Sequence, residues 1–266
     1  MTNEIKKILV IVPFPMSKDE ISNRENQSNL VSLDKKTKLY YNSVKASPRT
    51  YVSEEDYVLA DISILEAGLQ AEKDGFDGIC IDTVSDSGLS ALRSVLDIPV
   101  VGPGKLMYLT SLMLGEKFSI IAMWKEWFGL YKKILTEMNL LNKCASMRSI
   151  DLIPDNRNLL DGKEDDIFPM LLDIAKKCIE IDGADVICLG STTMHQAHGW
   201  LSEKLSVPII NPGPLSYKIL ESMIKLKLTH SRKTYPNPKV PRHDMIHTML
   251  NAAAKADLKR PLDKIK

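Results

Sequence analysis

Two matching stretches decide the fold: residues 75–83 read Gly-Phe-Asp-Gly-Ile-Cys-Ile-Asp-Thr, and residues 183–191 read Gly-Ala-Asp-Val-Ile-Cys-Leu-Gly-Ser. Each combines a Gly that ends a helical pattern, a short apolar run typical of a buried strand, and a small hydroxyl residue. Pro99 lies 16 residues after Thr83 and Pro208 lies 17 after Ser191, and each opens another apolar run. This repeat, at an offset of about 108 residues, predicts two similar halves.

Strands and helices alternate on both sides of these stretches. Residues 8–12 form a continuous aliphatic run, which is typical of a strand covered on both faces. Further strands are expected at 79–81, 99–101, 118–123, 186–189 and 208–210, with helices at 56–73, 89–96, 107–114, 127–138, 167–181, 197–205 and 215–226. This alternation predicts an α/β protein made of two pseudo-symmetric halves with parallel sheets.

The repeat also sets the expected domain boundaries. Residues 1–115 together with about 212–228 form the first half, and residues 116–211 form the second. Residues 229–266 are a basic, Pro-containing tail with a short helix around 245–256. We expect this tail to be a solvated surface or a strap over a partner subunit, not a nucleic-acid-binding segment.

Composition excludes several classes of function. The 266 residues carry 35 Lys and Arg against 34 Asp and Glu, so no global charge attracts nucleic acid or a membrane surface. No apolar run approaches the roughly 18 residues of a membrane span, and the first run stops at Pro13, too early for a signal peptide. The four cysteines form no Cys-x-x-Cys pair. We therefore expect a cytoplasmic protein with reduced thiols.

The site is expected in the cleft between the halves. Thr83 and Ser191 follow equivalent strands, and ligands of open parallel sheets bind outside the carboxyl ends of strands. The helices that follow open near Ser85 and near Thr192–Thr193, and their free N–H groups would hold an anion such as a carboxylate. Val84, Ser85, Thr192 and Thr193 are thus predicted to bind substrate.

Two titratable residues are candidates for proton transfer. Asp82 stands where the other half has Gly190, and it either pairs with His195 across the site or caps the following loop. His195 lies four residues after Ser191 and would share its helix face. It would act as a general acid or base, or activate Ser191 as a nucleophile. His195-x-x-His198 lacks a third ligand, so no metal site is predicted.

Residues beyond these ends are expected to complete the pocket. Arg49, within Ser47-Pro48-Arg49-Thr50, offers a guanidinium that matches a carboxylate. Trp124 follows the fourth strand with Trp127 and Phe128, and these aromatic side chains form either an apolar pocket wall or a core or dimer patch.

Four stretches carry a resemblance to a known family: Thr-Val-Ser-Asp-Ser-Gly-Leu at 83–89, Ile-Pro-Val-Val-Gly at 98–102, Leu-Gly-Ser-Thr-Thr-Met at 189–194 and Val-Pro-Ile-Ile-Asn at 207–211. The chain resembles the aspartate/glutamate/hydantoin racemase superfamily, particularly its hydantoin-racemase-like branch. The resemblance implies two α/β halves with the site between them, no cofactor, and an oligomer. It also implies that the loop from Pro13 to Ser17 contributes to the substrate pocket, and that one cysteine in each half moves a proton at the substrate's α-carbon.

The sequence departs from that pattern at both thiol positions, where it has Thr83 and Ser191. A thiol with a pKa of about 8.5 can be tuned to neutral pH, whereas an alkanol hydroxyl ionises far higher. Cys80 and Cys188 each lie three residues earlier, and this odd spacing directs them to the opposite strand face. We expect them to be buried apolar residues without a catalytic role.

These observations predict a cofactor-independent racemase-like isomerase without the two family thiols. Its substrate would be a small carboxylate or a hydantoin-type cyclic imide. Two alternatives stay open: a lyase or hydrolase that uses Ser191 and His195 on the same scaffold, and a non-catalytic protein that binds a small carboxylate.

Overall fold

Short aliphatic runs build two parallel sheets of four strands each. The computed structural model describes residues 5–155, 160 and 162–257, so the end of the predicted tail, 258–266, lies outside the described residues. The first sheet has the order β2-β1-β3-β4 and the second the order β6-β5-β7-β8. The strands are β1 (Lys6–Val12), β2 (Thr37–Ser43), β3 (Gly78–Ile81), β4 (Val100–Val101), β5 (Phe118–Ala122), β6 (Cys144–Ser149), β7 (Val186–Leu189) and β8 (Ile209–Ile210).

The two sheets match in register as well as in order. Cys80 pairs with Val10 and Val101 in the first sheet, and Cys188 pairs with Ile120 and Ile210 in the second. The predicted α/β fold with two similar parallel-sheet units is therefore confirmed.

Helices cover both faces of each sheet, which explains why the strands are continuously apolar. They are α1 (Lys18–Glu25), α2 (Glu54–Gly68), α3 (Leu89–Val95), α4 (Pro103–Leu114), α5 (Phe128–Glu137), α6 (Glu164–Glu180), α7 (Ala197–Ser202), α8 (Pro212–Lys225) and α9 (His243–Asp257). The helix expected at 56–73 ends earlier, at Gly68, and irregular turns follow as far as Gly75.

Helix α1 was not predicted, because its sequence lacks an apolar stripe at helical spacing. A capping box defines its start: the Ser17 hydroxyl accepts from the Glu20 N–H, and the Glu20 carboxylate accepts from the Ser17 N–H. Strand β6, only half-buried along its length, was also missed.

The two sheet units share part of their core. Tyr108 of α4 stacks on Phe118 of β5 with ring centroids 5.4 Å apart. Tyr57 and Val84 from the first unit belong to the same buried cluster as Cys188 from the second. Helix α4 thus holds the second sheet against the first. Helix α8 returns to the first unit and packs on β3 and α4.

The described part of the tail folds back onto its own chain. His247 of α9 lies 2.7 Å from the buried Glu66 carboxylate of α2, which Lys45 also contacts at 2.7 Å. No helix in the described part of the chain combines the length and apolar character needed to cross a bilayer.

Candidate functional site

The carboxyl ends of β3 and β7 open into one small recess. Seven of the residues predicted for the site line this recess: Pro13, Asp82, Thr83, Val84, Ser191, Thr192 and Thr193. The repeat therefore brings together the strand ends that it predicted to be neighbours.

A buried ion pair forms one wall of the recess. Arg24 Nη1 lies 3.1 Å from Asp82 Oδ2, and the two side chains are 1% and 0% exposed. Gln27 Nε2 donates to Asp82 Oδ1 at 3.3 Å. Burial raises the pKa of Asp82, while Arg24, Gln27 and Thr192 act in the opposite direction. The site thus contains a fixed guanidinium beside a carboxylate.

Thr192 ties this pair to the second sheet unit. Its hydroxyl accepts from Arg24 Nη1 at 3.3 Å and donates to the Asp82 carbonyl at 3.1 Å. The recess is consequently built across the boundary between the two units, from α1, the end of β3 and the turn after β7.

Hydroxyl groups line the recess on both sides. Thr83 Oγ1 lies 3.1 Å from Ser85 Oγ, and Ser191 Oγ lies 2.8 Å from Thr193 Oγ1. Ser191 also accepts from the Thr193 N–H at 3.2 Å, because it caps a single 3-10 turn that stands where a longer helix was expected.

Aromatic side chains form the apolar wall. Phe14 meets Tyr51 edge-on with ring centroids 5.3 Å apart, and Trp127 lies on the same recess. The Tyr131 hydroxyl donates to the Gly190 carbonyl at 2.7 Å. Burial raises the pKa of Tyr51 and Tyr131, so both remain neutral phenols.

The N–H groups at the starts of α3 and α4 donate to carboxylates of the protein itself. The Gly88 N–H, at the start of α3, donates to Asp61 Oδ1 at 2.7 Å. The first N–H groups of α4, from Gly104 and Lys105, donate to the buried Asp86 carboxylate at 2.8 and 2.7 Å. A Cβ on Gly104 would lie 2.3 Å from the Val84 carbonyl, which explains the glycine. These donors serve the protein's own carboxylates.

Five predicted site residues do not contribute to the recess lining. Ser17 is exposed as the cap of α1, Arg49 is exposed, and Trp124 is half-buried beside the lining residue Trp127. Ser85 lines a neighbouring cavity. His195 is 3% exposed, and its Nδ1 lies 3.1 Å from the Thr192 carbonyl.

The cysteines lie away from the recess. Cys80 and Cys188 are 1% and 0% exposed, and desolvation raises the pKa of both thiols well above the ordinary value. Cys144 and Cys178 lie elsewhere, with pKa values raised by the same cause. Among the described residues, no group of three or more His, Cys, Asp or Glu is placed to hold a metal ion.

Sequence reasoning missed Arg24, Gln27 and the lining residues Tyr51 and Tyr131. The signal for the first two was the Ser17-x-x-Glu20 capping box, which marks a helix start seven residues before Arg24.

The chain is similar to known proteins over most of its length. A family model described as "Asp/Glu/Hydantoin racemase" matches residues 23–218. The hydantoin racemase of Pseudomonas sp. (strain NS671) is 27% identical over 199 residues, covering 74% of this chain and 78% of that protein. The hydantoin racemase of Paenarthrobacter aurescens is 27% identical over 187 residues, covering 69% and 77%.

The solved structure of allantoin racemase from Klebsiella pneumoniae superposes with a TM-score of 0.79 at 23% identity. It covers 89% of this chain and 95% of that one. At this identity the likeness shows the shared fold.

Proposed function

The chain belongs to the Asp/Glu/hydantoin racemase family, and we propose that it is a cofactor-independent racemase or isomerase that works without the family thiols. One observation carries the proposal: hydroxyl residues from equivalent strand ends, Thr83 and Ser191, face one recess beside a buried Arg24–Asp82 pair. A carboxylate, a positive charge and hydrogen-bonding groups beside one recess support binding of a small substrate and proton transfer to it.

Asp82 is the proposed general base. Its carboxylate removes the proton from the carbon next to the substrate's carbonyl group, so a C–H bond breaks and an O–H bond forms on Asp82. The electron pair of the C–H bond moves onto the carbonyl oxygen and forms an enolate. Burial raises the pKa of Asp82, which makes this carboxylate a stronger base than an exposed one.

The surroundings of Asp82 would hold substrate and balance charge. The Arg24 guanidinium, fixed by Asp82 and Thr192, supplies positive charge for the developing enolate. Ser191 would donate a hydrogen bond to a carbonyl oxygen of the substrate from the second unit, and Thr83 would contact the substrate from the first. Phe14 and Trp127 would cover its apolar part.

The proposed substrates are small carboxylates and hydantoin-type cyclic imides. The recess is small, and the named relatives are hydantoin and allantoin racemases. Following the family resemblance, we further propose a cytoplasmic homo-oligomer in which residues 1–115 with about 212–228, and residues 116–211, act as the two halves around the site.

A second candidate is non-catalytic binding of a small carboxylate. It is favoured by the Arg24 charge at the recess together with four cysteines that all lie elsewhere, since this combination retains anion recognition without thiol chemistry.

Deuterium exchange at carbon tests the proposed activity. The protein is incubated in D₂O with hydantoins, allantoin, amino acids and 2-substituted dicarboxylates, and loss of the α-proton is followed by NMR. The Asp82→Asn variant is the matched control, because it keeps the side-chain shape and removes the charge. Exchange that requires Asp82 supports the proposal. Thermal stabilisation by the same compounds without exchange would establish the binding protein instead.

A further inference from the structure

A row of three hydroxyl groups leads away from the recess along the first sheet unit. Thr83 Oγ1 is 3.1 Å from Ser85 Oγ, and Ser85 Oγ is 2.9 Å from Ser87 Oγ. The Ser85 N–H donates to Thr83 Oγ1 at 3.4 Å and the Ser87 N–H donates to Ser85 Oγ at 3.3 Å. Backbone groups therefore hold successive hydroxyls in hydrogen-bonding order.

This row ends at a carboxylate in a second cavity. Asp61 of α2 is exposed to solvent and lies next to this end of the row, because its Oδ1 accepts from the N–H of Gly88, the residue after Ser87, at 2.7 Å. Asp61, Ser85 and Ser87 all line this cavity, which lies between α2 and α5. Lys133 and Glu137 of α5 face it from the second unit. The row thus connects a recess to a separate, solvent-facing carboxylate.

We infer that Thr83, Ser85 and Ser87 form a proton relay between the recess and Asp61, and that Thr83 returns a proton to the substrate after Asp82 has removed one. This inference rests on the proposed function. It names Thr83 as the second catalytic residue, with Ser85 and Ser87 acting through it, and it makes Asp61 the group that exchanges with solvent.

The relay explains how a hydroxyl, which ionises far less readily than a thiol, could still donate a proton. The enolate carbon takes the Thr83 proton on the face opposite to Asp82, which inverts the carbon. Thr83 takes the Ser85 proton, Ser85 takes the Ser87 proton, and Ser87 takes the proton of the Asp61 carboxylic acid. Three O–H bonds break and three reform along the row, while Asp61 becomes a carboxylate and the carbon gains a C–H bond. No free alkoxide is needed, because each hydroxyl gains a proton as it gives one up.

The row has no counterpart of equal length in the second unit. At the repeat offset of 108 residues, Ser85 corresponds to Thr193, but Ser87 corresponds to His195. The Ser191–Thr193 pair is buried, with both residues below 9% exposed. The path to the second cavity therefore starts from Thr83.

The proposed relay is tested by measuring inversion of the substrate's α-carbon separately from exchange of its α-proton. A chiral 5-substituted hydantoin is incubated with enzyme in D₂O, inversion is followed by optical activity, and deuterium at the α-carbon is followed by NMR in the same sample. Ser85→Ala, Ser87→Ala and Asp61→Asn should each lower the rate of inversion at least about tenfold, in the range of a lost acid–base step. Exchange through Asp82 should fall by less, so that the ratio of inversion to exchange drops.

Two matched variants distinguish a relay from a structural role. Ser90→Ala removes a hydroxyl of the same cavity outside the row and should keep the wild-type ratio. Ser85→Thr keeps the hydroxyl and should restore most of the inversion that Ser85→Ala loses. Near-UV circular dichroism verifies that each variant is folded.

The outcomes are distinct. A wild-type ratio of inversion to exchange in both Ser85→Ala and Ser87→Ala would overturn the relay and leave the proposed function standing. Equal losses of inversion and exchange would also overturn it, because they indicate a structural effect. Absence of both activities in the wild-type protein would remove the proposed function and the relay together.

Discussion

The strand ends of β3 and β7 have matching backbones and different chemistry. After β3, the Asp82 carboxylate is held by Arg24 of α1 and by Gln27 of the 3-10 turn that follows α1. After β7, the equivalent position is Gly190, and a Cβ there would lie 2.6 Å from the Tyr131 hydroxyl and 2.9 Å from the Ile121 carbonyl. The end of β3 therefore accommodates a carboxylate and its guanidinium partner, whereas the end of β7 has no space for a side chain.

The two units also differ three residues after Thr83 and Ser191, where only the first unit has a carboxylate. Asp86 accepts the first N–H groups of α4, and the residue at the corresponding offset is the fully buried Met194. The repeat therefore supplies a symmetric scaffold, and ionisable groups are concentrated in the first unit. The backbone of the site is therefore repeated in both units, but its ionisable side chains come mainly from the first unit.

Breaking the Arg24–Asp82 pair should give the largest effect. Arg24→Met leaves a buried carboxylate without its cation, which costs about 3–5 kcal/mol of unfolding free energy. Urea unfolding measures it. The control is the ion pair Arg148–Asp182 at the protein surface, where the Arg148 side chain is 32% exposed. Arg148→Met should lower the unfolding free energy by about 1 kcal/mol or less. Equal losses in the two variants would contradict the special role of the recess pair.

Asp86 should make stability depend on pH. Burial raises its pKa to about 7, so the folded state favours the protonated form relative to the unfolded chain. This stabilisation is complete below about pH 4 and is lost as pH rises through about 7. Between pH 5 and 7 the unfolding free energy should fall by roughly 2–3 kcal/mol more in wild type than in Asp86→Asn. Identical pH profiles would refute this.

Filling the glycine after β7 should have an intermediate effect. Gly190→Ala places a methyl against the Tyr131 hydroxyl and should cost roughly 1–3 kcal/mol. The control is Gly199→Ala in α7, where a Cβ meets nothing within 4 Å and alanine favours the helix. Thermal unfolding of both variants gives the comparison, and a neutral Gly190→Ala would show that this end has unused space.

The two equivalent cysteines should show the smallest effects. Cys80→Ala and Cys188→Ala each remove a buried sulfur and should cost roughly 1 kcal/mol. Activity should be unchanged in both, since neither thiol lines the recess. Loss of exchange in the double variant without loss of folding would show that the thiols take part in the chemistry after all.

The pairing of the two strand ends could be predicted from sequence because it depends on local patterns. Short aliphatic runs, a repeated Gly-x-Asp and an offset of 108 residues were sufficient to place Thr83 and Ser191 together. The partner of Asp82 could not be predicted in this way. A fully buried Arg is an exception to the usual distribution, and α1, which carries Arg24, lacks the apolar stripe that marks most packed helices.

The position of His195 also depends on local geometry that the sequence pattern does not show. Its spacing from Ser191 would align the two on a regular helix, but the chain forms a single 3-10 turn over Thr192–Met194 before α7 begins. The changed rotation per residue brings His195 Nδ1 to the Thr192 carbonyl and leaves the imidazole out of the recess lining.

Proton transfer should depend far more on the groups at the β3 end than on those at the β7 end. The most direct measurement compares α-proton exchange in D₂O, at saturating substrate, for wild type, Asp82→Asn and Ser191→Ala, with folding verified for each. We expect a loss of at least about 100-fold for Asp82→Asn, because the general base is missing, and of about tenfold or less for Ser191→Ala. Full exchange in Asp82→Asn, or a larger loss in Ser191→Ala, would contradict it.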